Sequence, residues 1–299
     1  MNHPPTPVSH SSLTQNRITN LHICSLNCRS LSKPPSLDLS RSFSRLLISS
    51  DMDILCLQEA HSADPEVQDR LDIQLQAKTS IWTHHCGVVS LNPAIQLEDA
   101  YVSTDGRLII CTVSHVNHLF HPFRLMNIYA PATPYDRYDF YANLLQLPYF
   151  HSLLTNFSSH SFTFPPEAPT MIVVDFNYNF RRFPSSTIHN NLQNPDFISN
   201  LHLNYPHSSD TTSTNPEDPS ITPTLDTNDL SNMSPSTRAQ WFWHAILQHH
   251  YHECSHRLQS DPPIPTFTDG GHLSTIDYMY VAPLLTDFLQ ASNVEFIGP

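Results

Sequence analysis

Glycine is nearly missing from this chain: Gly87, Gly106, Gly270, Gly271 and Gly298 are the five in 299 residues, where ordinary usage would place about twenty. Dinucleotide fingerprints and P-loops both need closely spaced glycines so that backbone N–H groups can approach phosphate, so both are excluded. Basic residues are also few, 14 Lys and Arg against 27 Asp and Glu, a net charge of −13 with histidine neutral. That balance leaves no global cationic footprint for nucleic acid, and a polyanion would have to be held locally. The 20 histidines would erode the negative charge as pH falls below about 6.5. No run of about 18 apolar residues occurs, and residues 1–20 are polar and rich in Pro and Ser with no apolar stretch of signal-peptide type. The expectation is a disordered segment over 1–20 and an intracellular protein, nuclear or cytoplasmic, neither secreted nor membrane-bound. The six cysteines form no C-x-x-C pair and lie mostly in apolar runs, as reduced core residues do.

What is abundant is proline, 26 residues, together with 39% hydrophobic residues. Proline at that level breaks long helices and favours a loop-rich fold. Short apolar runs at 21–26, 53–57, 87–91, 107–113, 123–129, 171–174 and 275–281 are rich in Ile, Val and Leu and too short for helices, so they predict buried strands. Helical patterns lie between them at 37–48, 65–76, 135–147 and 237–258. Alternation of the two predicts an α/β layered domain over 21–299. Residues 207–236 interrupt it with a Ser/Thr/Pro/Asp-rich, low-complexity insertion whose composition cannot bury a core.

Four apolar runs end on chemically capable residues: Asn27, Glu59, Tyr129, and Asp175 with Asn177. Carboxyl ends of neighbouring strands share one edge of a sheet, where α/β domains bind ligands. Asp and Asn after a strand are also ordinary turn initiators. A glutamate directly after a buried run is harder to place that way, because an unpaired charge there is costly. Asp175 and Asn177 flank Phe176 and face the same way if the backbone stays extended.

In order along the chain stand Leu26-Asn27-Cys28-Arg29-Ser30-Leu31, Leu57-Gln58-Glu59-Ala60-His61, Cys86-Gly87-Val88-Val89, Asn127-Ile128-Tyr129-Ala130-Pro131, Asp175-Phe176-Asn177 and Ser274-Thr275-Ile276-Asp277-Tyr278. This series resembles the endonuclease/exonuclease/phosphatase superfamily, and most closely the apurinic-type endonuclease domains of non-LTR retrotransposons. The resemblance implies a four-layer α/β sandwich of two mixed β-sheets flanked by helices, and Mg²⁺-dependent phosphoester hydrolysis, with Mn²⁺ as a substitute and DNA as the partner. It implies no nucleotide cofactor. It assigns Glu59 and Asn27 to the metal, a hard-oxygen pair suited to Mg²⁺. It assigns Asp175 to orienting or deprotonating the attacking water, Asn177 to fixing water or a phosphate oxygen, and Tyr129 to hydrogen-bonding the phosphate. Asp277 orients a histidine in this family.

Two departures follow. The family's final Ser-Asp-His motif is absent after Asp277, so the expectation is a C-terminally truncated domain of impaired activity, with a catalytically inactive retroelement remnant or a binding module as the alternative. Val174 stands where the family has Gly, and a branched side chain there is expected to crowd the phosphate or tilt the strand end.

Less specific signals remain. Arg107 and Arg181 are candidate phosphate contacts, guanidinium being the usual partner of a phosphate backbone. His252-Glu253-Cys254-Ser255-His256 reads literally as HExxH, a zinc-protease pattern when helical. It lies in a His-rich stretch with His244, His249 and His250, and no third ligand follows at metzincin spacing, where Leu258, Gln259 and Ser260 come next. A solvated helix face is the preferred reading, ahead of adventitious Zn²⁺ or Ni²⁺ binding and of a protease. Trp241-Phe242-Trp243 reads as helix packing in preference to a base-stacking platform.

Overall fold

The computed structural model describes residues 20–28, 47–150, 169–177, 250–254, 266–269 and 272–290, together with 45, 240, 243, 244 and 246–248. The insertion at 207–236, the 1–19 segment, Arg181, Trp241, Phe242, His249 and His256 lie outside the described residues, as does most of the helix expected over 37–48.

The apolar runs become strands because their alternate residues bury on both faces. One sheet has four strands, β1 (Ile23–Asn27), β2 (Ile54–Gln58), β3 (Thr79–Trp82) and β4 (Cys86–Ser90), in the order β1-β2-β4-β3. β1 and β2 run parallel and the other pairs are antiparallel. The second sheet has six strands: β5 (Ile95–Val102), β6 (Leu108–His115), β7 (Phe123–Tyr129), β8 (Thr170–Asp175), β9 (His252–Glu253) and β12 (Asp277–Val281), in the order β5-β6-β7-β8-β12-β9. Only β7 and β8 are parallel there. A separate antiparallel ribbon pairs β10 (Phe267–Asp269) with β11 (His272–Ser274).

Strand alternation sorts the side chains into three apolar layers. Ile54, Cys56, Cys86 and Val88 of the first sheet meet Ile109, Cys111, Leu125, Val173 and Val281 of the second between the sheets. The other face of the first sheet, with Leu55, Leu57 and Val89, packs under Leu47 and Leu75. The other face of the second sheet, with Ile110, Met126, Ile128, Ile172 and Val174, packs under Phe140, Tyr141, Trp243, Ile246 and Leu247. Helix, sheet, sheet, helix is the four-layer sandwich expected from the resemblance.

Helix α1 (Pro65–Leu75) starts where Asp64 accepts a hydrogen bond from the Glu66 N–H and Pro65 fills the first turn, and it ends at Gln76 in the left-handed region, φ 57°. Its buried residues are Leu71 and Leu75. Helix α2 (Pro134–Leu145) likewise opens on proline. A short turn of helix, α3 (Pro283–Thr286), follows β12. Among the described residues no helix is long and apolar enough to cross a membrane.

Five of the described strands escaped the sequence reading: β3, β5, the two-residue β9, and the ribbon strands β10 and β11. β3 and β5 are sheet-edge strands with largely exposed or half-buried residues, so hydrophobic runs do not mark them. β5 also carries a register shift between Glu98 and Tyr101, with Asp99 at φ 50°. The stretch expected as helix through 258 is overturned at its end: His252 and Glu253 pair with Val281 and Tyr280 as strand β9. A strand puts His252 and Glu253 on opposite faces, so the helical zinc-protease geometry is absent. The preferred reading of the His-rich stretch also fails, because His244 and His250 are buried rather than solvated. His244 stacks on Phe176, and Trp243 packs edge-on against Phe150, which is helix packing as expected.

None of the six cysteines is in a disulfide, and four of them are buried. Burial raises the Cys111 thiol to about 12 and pushes Cys56 and Cys86 up as well, so these remain protonated core groups.

Candidate active site

The same alternation that builds the inter-sheet layer aims polar side chains into its open end. Counting back in twos, Ile23, Ser25 and Asn27 share one face of β1, Ile54, Cys56 and Gln58 one face of β2, Leu125, Asn127 and Tyr129 one face of β7, and Val173 and Asp175 one face of β8. Register completes the convergence: Asn27 stands opposite Gln58, Tyr129 opposite Asp175, and Asp277 opposite Asp175 from the other side.

The edge is hydrogen-bonded. Asn27 Nδ2 donates to Asp175 Oδ2 at 2.7 Å, a contact between the two sheets. The Asn177 backbone N–H donates to Asp175 Oδ1 at 2.8 Å. Asn177 lies at φ 56°, so the chain turns after Phe176 and does not remain extended as expected. An Asx-type turn brings Asp175 and Asn177 together instead. Asn177 Nδ2 donates to the Ala130 carbonyl at 2.7 Å, and Arg137 clamps the same corner through the carbonyls of Pro131, Ala132 and Asn177 at 2.8, 2.6 and 3.0 Å. Glu59 takes φ 52° directly after β2, a conformation uncommon for a residue with a side chain. Tyr129 Oη donates to Glu59 Oε1 at 3.0 Å.

Electrostatics at this edge are strongly acidic. Asp175 is fully buried, and burial together with the Asp277 charge raises its carboxyl well above the usual range, against the hydrogen bonds from Asn177 and Asn27. Burial raises Asp277 to about 6, and its Oδ1 is buried with no hydrogen-bond partner among the described residues. Burial and the Glu59 charge raise the Tyr129 hydroxyl to about 12, so it remains a donor. Arg107 stands beside Tyr129, with its guanidinium 5.1 Å from the ring centroid and one buried nitrogen, Nη1, without a hydrogen-bond partner among the described residues. Burial, then Arg107, lowers His85 to about 4 and holds it neutral.

Glu59, Asp175 and Asp277, the last with an oxygen that has no hydrogen-bond partner among the described residues, and the carboxamide of Asn27 offer hard-oxygen donors along this edge, the type that suits a magnesium-sized cation. The residues present therefore fit a divalent ion.

Asn27, Glu59, Tyr129, Asp175, Asn177, Asp277 and Arg107 are thus brought to one edge. Val174 departs from expectation: it points the other way, into the layer with Ile172, Tyr278 and Phe176, so its methyl groups do not face the site. Two residues were missed. Gln58 Nε2 donates to Asn127 Oδ1 at 2.7 Å and to Ser25 Oγ at 3.2 Å, and Asn127 Nδ2 donates to the carbonyls of Leu57 and Gly87 at 3.0 and 2.9 Å. This network is the polar floor beneath the site. The signal was available, since Asn127 interrupts an apolar run two residues before Tyr129.

The fold and its acidic edge define a four-layer α/β sandwich with a candidate active site between its two sheets. Among solved structures, the chain is similar to a humanized TDP2 from D. rerio at 12% identity, covering 88% of this chain and 83% of that one, with a TM-score of 0.47. It is similar to an endonuclease/exonuclease/phosphatase from Bacteroides vulgatus at 10% identity, covering 88% and 87%, with a TM-score of 0.49. Similarity to ANGEL2, a 2′,3′-cyclic phosphatase, is 15% identity over 80% and 73%, with a TM-score of 0.41. No protein-family model and no curated protein matches the sequence.

Proposed function

We propose that this chain is a divalent-metal-dependent phosphoesterase of the endonuclease/exonuclease/phosphatase type, and specifically a retroelement-type endonuclease domain that nicks DNA. The observation that carries the reading is the convergence of Asn27, Glu59, Tyr129, Asp175 and Asp277 from five strands or strand ends onto one edge.

Glu59 and Asn27 would hold the ion, which supplies Lewis-acid polarisation of a phosphoryl oxygen when bound. Asp175, its basicity raised by burial and by Asp277, accepts the proton of an attacking water. Asn27 and the Asn177 N–H fix the orientation of that carboxylate. Tyr129 presents a protonated hydroxyl to the charge that develops on phosphate. Arg107 offers a guanidinium to a neighbouring phosphate.

A second reading is favoured by Asp277, whose buried Oδ1 orients nothing among the described residues: a non-catalytic binding module on the same fold. Supercoiled plasmid with Mg²⁺ separates the two. The phosphoesterase reading expects nicking that EDTA abolishes and that Glu59→Gln or Asp175→Asn lowers by about 10²-fold or more. Equal, metal-independent background from all three proteins overturns it. DNA binding without turnover by the unaltered chain, undiminished in Glu59→Ala, establishes the binding module.

A further inference from the structure

Beside the acidic edge lies a cluster that phosphoester hydrolysis does not use. His61 follows Glu59 by two residues, and His84 and His85 occupy the turn between β3 and β4. One ring nitrogen or another of all three lies within 4.8 Å of the others. Ring centroids are 4.3 Å apart for His84 and His85, 5.5 Å for His61 and His84, and 6.0 Å for His61 and His85, all edge-to-face. Nitrogens bound at about 2.0–2.1 Å around a tetrahedral ion stand about 3.4 Å apart, so small ring rotations close the observed spacing.

The cluster is held by backbone and not by chance packing of long side chains. The Ala60 N–H donates to the His85 carbonyl at 3.0 Å, and the Ser62 N–H to the His84 carbonyl at 3.1 Å, which zips the His61 loop to the β3–β4 turn. Ser62 Oγ donates to the Thr83 carbonyl at 2.8 Å, and Thr83 Oγ1 accepts from the His85 and Cys86 N–H groups at 3.2 and 2.8 Å. His61 is held at φ 50°, in the left-handed region, a strain that persists only where surroundings over-determine it. His85 Nδ1 is buried without a hydrogen-bond partner among the described residues, and leaving such a nitrogen unmatched is costly. A ligand bond would satisfy it.

We propose that His61, His84 and His85 form a transition-metal site of the Zn²⁺ class, separate from the oxygen donors of Glu59 and Asn27, with its fourth position open to water or a ligand oxygen. Imidazole nitrogens select zinc, cobalt, nickel or copper over magnesium, so two different ions can occupy neighbouring sites without competing. The His85 ring lies 5.6 Å from the Tyr129 ring, which puts the second ion at the rim of the candidate active site. The site stands independently of the phosphoesterase reading.

The test is a Co²⁺ titration of the EDTA-treated full chain in millimolar Mg²⁺, followed by visible absorption and then by Zn²⁺ displacement. The expected result is one equivalent of Co²⁺ with tetrahedral d–d bands, displaced by Zn²⁺. His84→Ala, at an exposed position, and His61→Ala, in the other loop, each weaken binding about a hundredfold or more with unchanged circular dichroism. His118→Ala, at an exposed histidine elsewhere, leaves it unchanged. Binding that His84→Ala and His61→Ala do not alter, or uptake only beyond one equivalent at millimolar Co²⁺ by the 20 histidines at large, overturns the proposal.

Discussion

Gln58 and Asn127 lock the two sheets to each other: the Gln58 amide donates to Asn127 Oδ1 at 2.7 Å across the inter-sheet layer, where both residues are fully buried. Each buried polar group left unmatched there would cost about 1–3 kcal/mol, so the pair is stable only as a complete network.

Asn127→Ala takes from the Gln58 amide its 2.7 Å acceptor, leaving the 3.2 Å bond to Ser25 Oγ, and removes the donors to the Leu57 and Gly87 carbonyls. Urea unfolding is expected to show a loss of about 3 kcal/mol or more. Asn127→Leu, which fills the space and leaves the same groups unmatched, is expected to be no better. A loss under 0.5 kcal/mol would mean that water replaces the network.

Asp277 carries the sharper pH signature. Its folded value, about 6, lies above the value near 3.9 of an unfolded carboxyl. The folded state therefore holds this proton more tightly, and ionisation opposes folding as pH rises through 4 to 6. Asp277→Asn in metal-free protein should gain on the order of 1–2 kcal/mol at pH 7.5, after allowance for partial exposure, and nothing at pH 3.5. Urea midpoints at the two pH values check the sign.

His244 works in the opposite sense. Burial holds its imidazole well below 6.5, so above that pH it is neutral folded or unfolded, and below it only the unfolded chain gains the proton. Its contribution to stability falls by about 1.4 kcal/mol per pH unit below 6.5. His244→Phe keeps a ring against Phe176 and should flatten the decline between pH 6.5 and 5. Identical slopes for the two proteins would refute the assignment.

Gly87 is required by its neighbour. A Cβ there would sit 2.3 and 2.5 Å from the Trp82 ring, and that indole donates from Nε1 to Asp72 at 2.9 Å. Gly87→Ala should displace the indole, lower stability by about 1–3 kcal/mol and shift tryptophan emission to the red.

The legible parts of this fold were those where burial and pattern agree. β2, β4, β7 and β8 bury nearly every residue and stand out as apolar runs, and the residues that close or follow β2, β7 and β8 are those at the site. β3 and β5 lie at sheet edges, where half the residues meet solvent. His252 and Glu253 sit in a helix-like pattern, yet pairing with β12 decides their conformation, and no local signal carries a long-range partner. Val174 could have been placed from alternation alone, since it is one residue from Asp175 and must face the opposite layer. The His61, His84 and His85 cluster comes from two segments more than twenty residues apart, and only the folded chain joins them.

β5 ends the six-stranded sheet, with Tyr101 and Val102 exposed. An exposed rim of that kind offers unpaired amides to any other extended chain. The shift between Glu98 and Tyr101, with Asp99 turned to φ 50°, interrupts that row at its middle and inserts the Asp99 carboxylate. The strand thus presents two short, offset stretches where a second molecule would need one continuous one, and the kink disfavours edge-to-edge stacking into fibres.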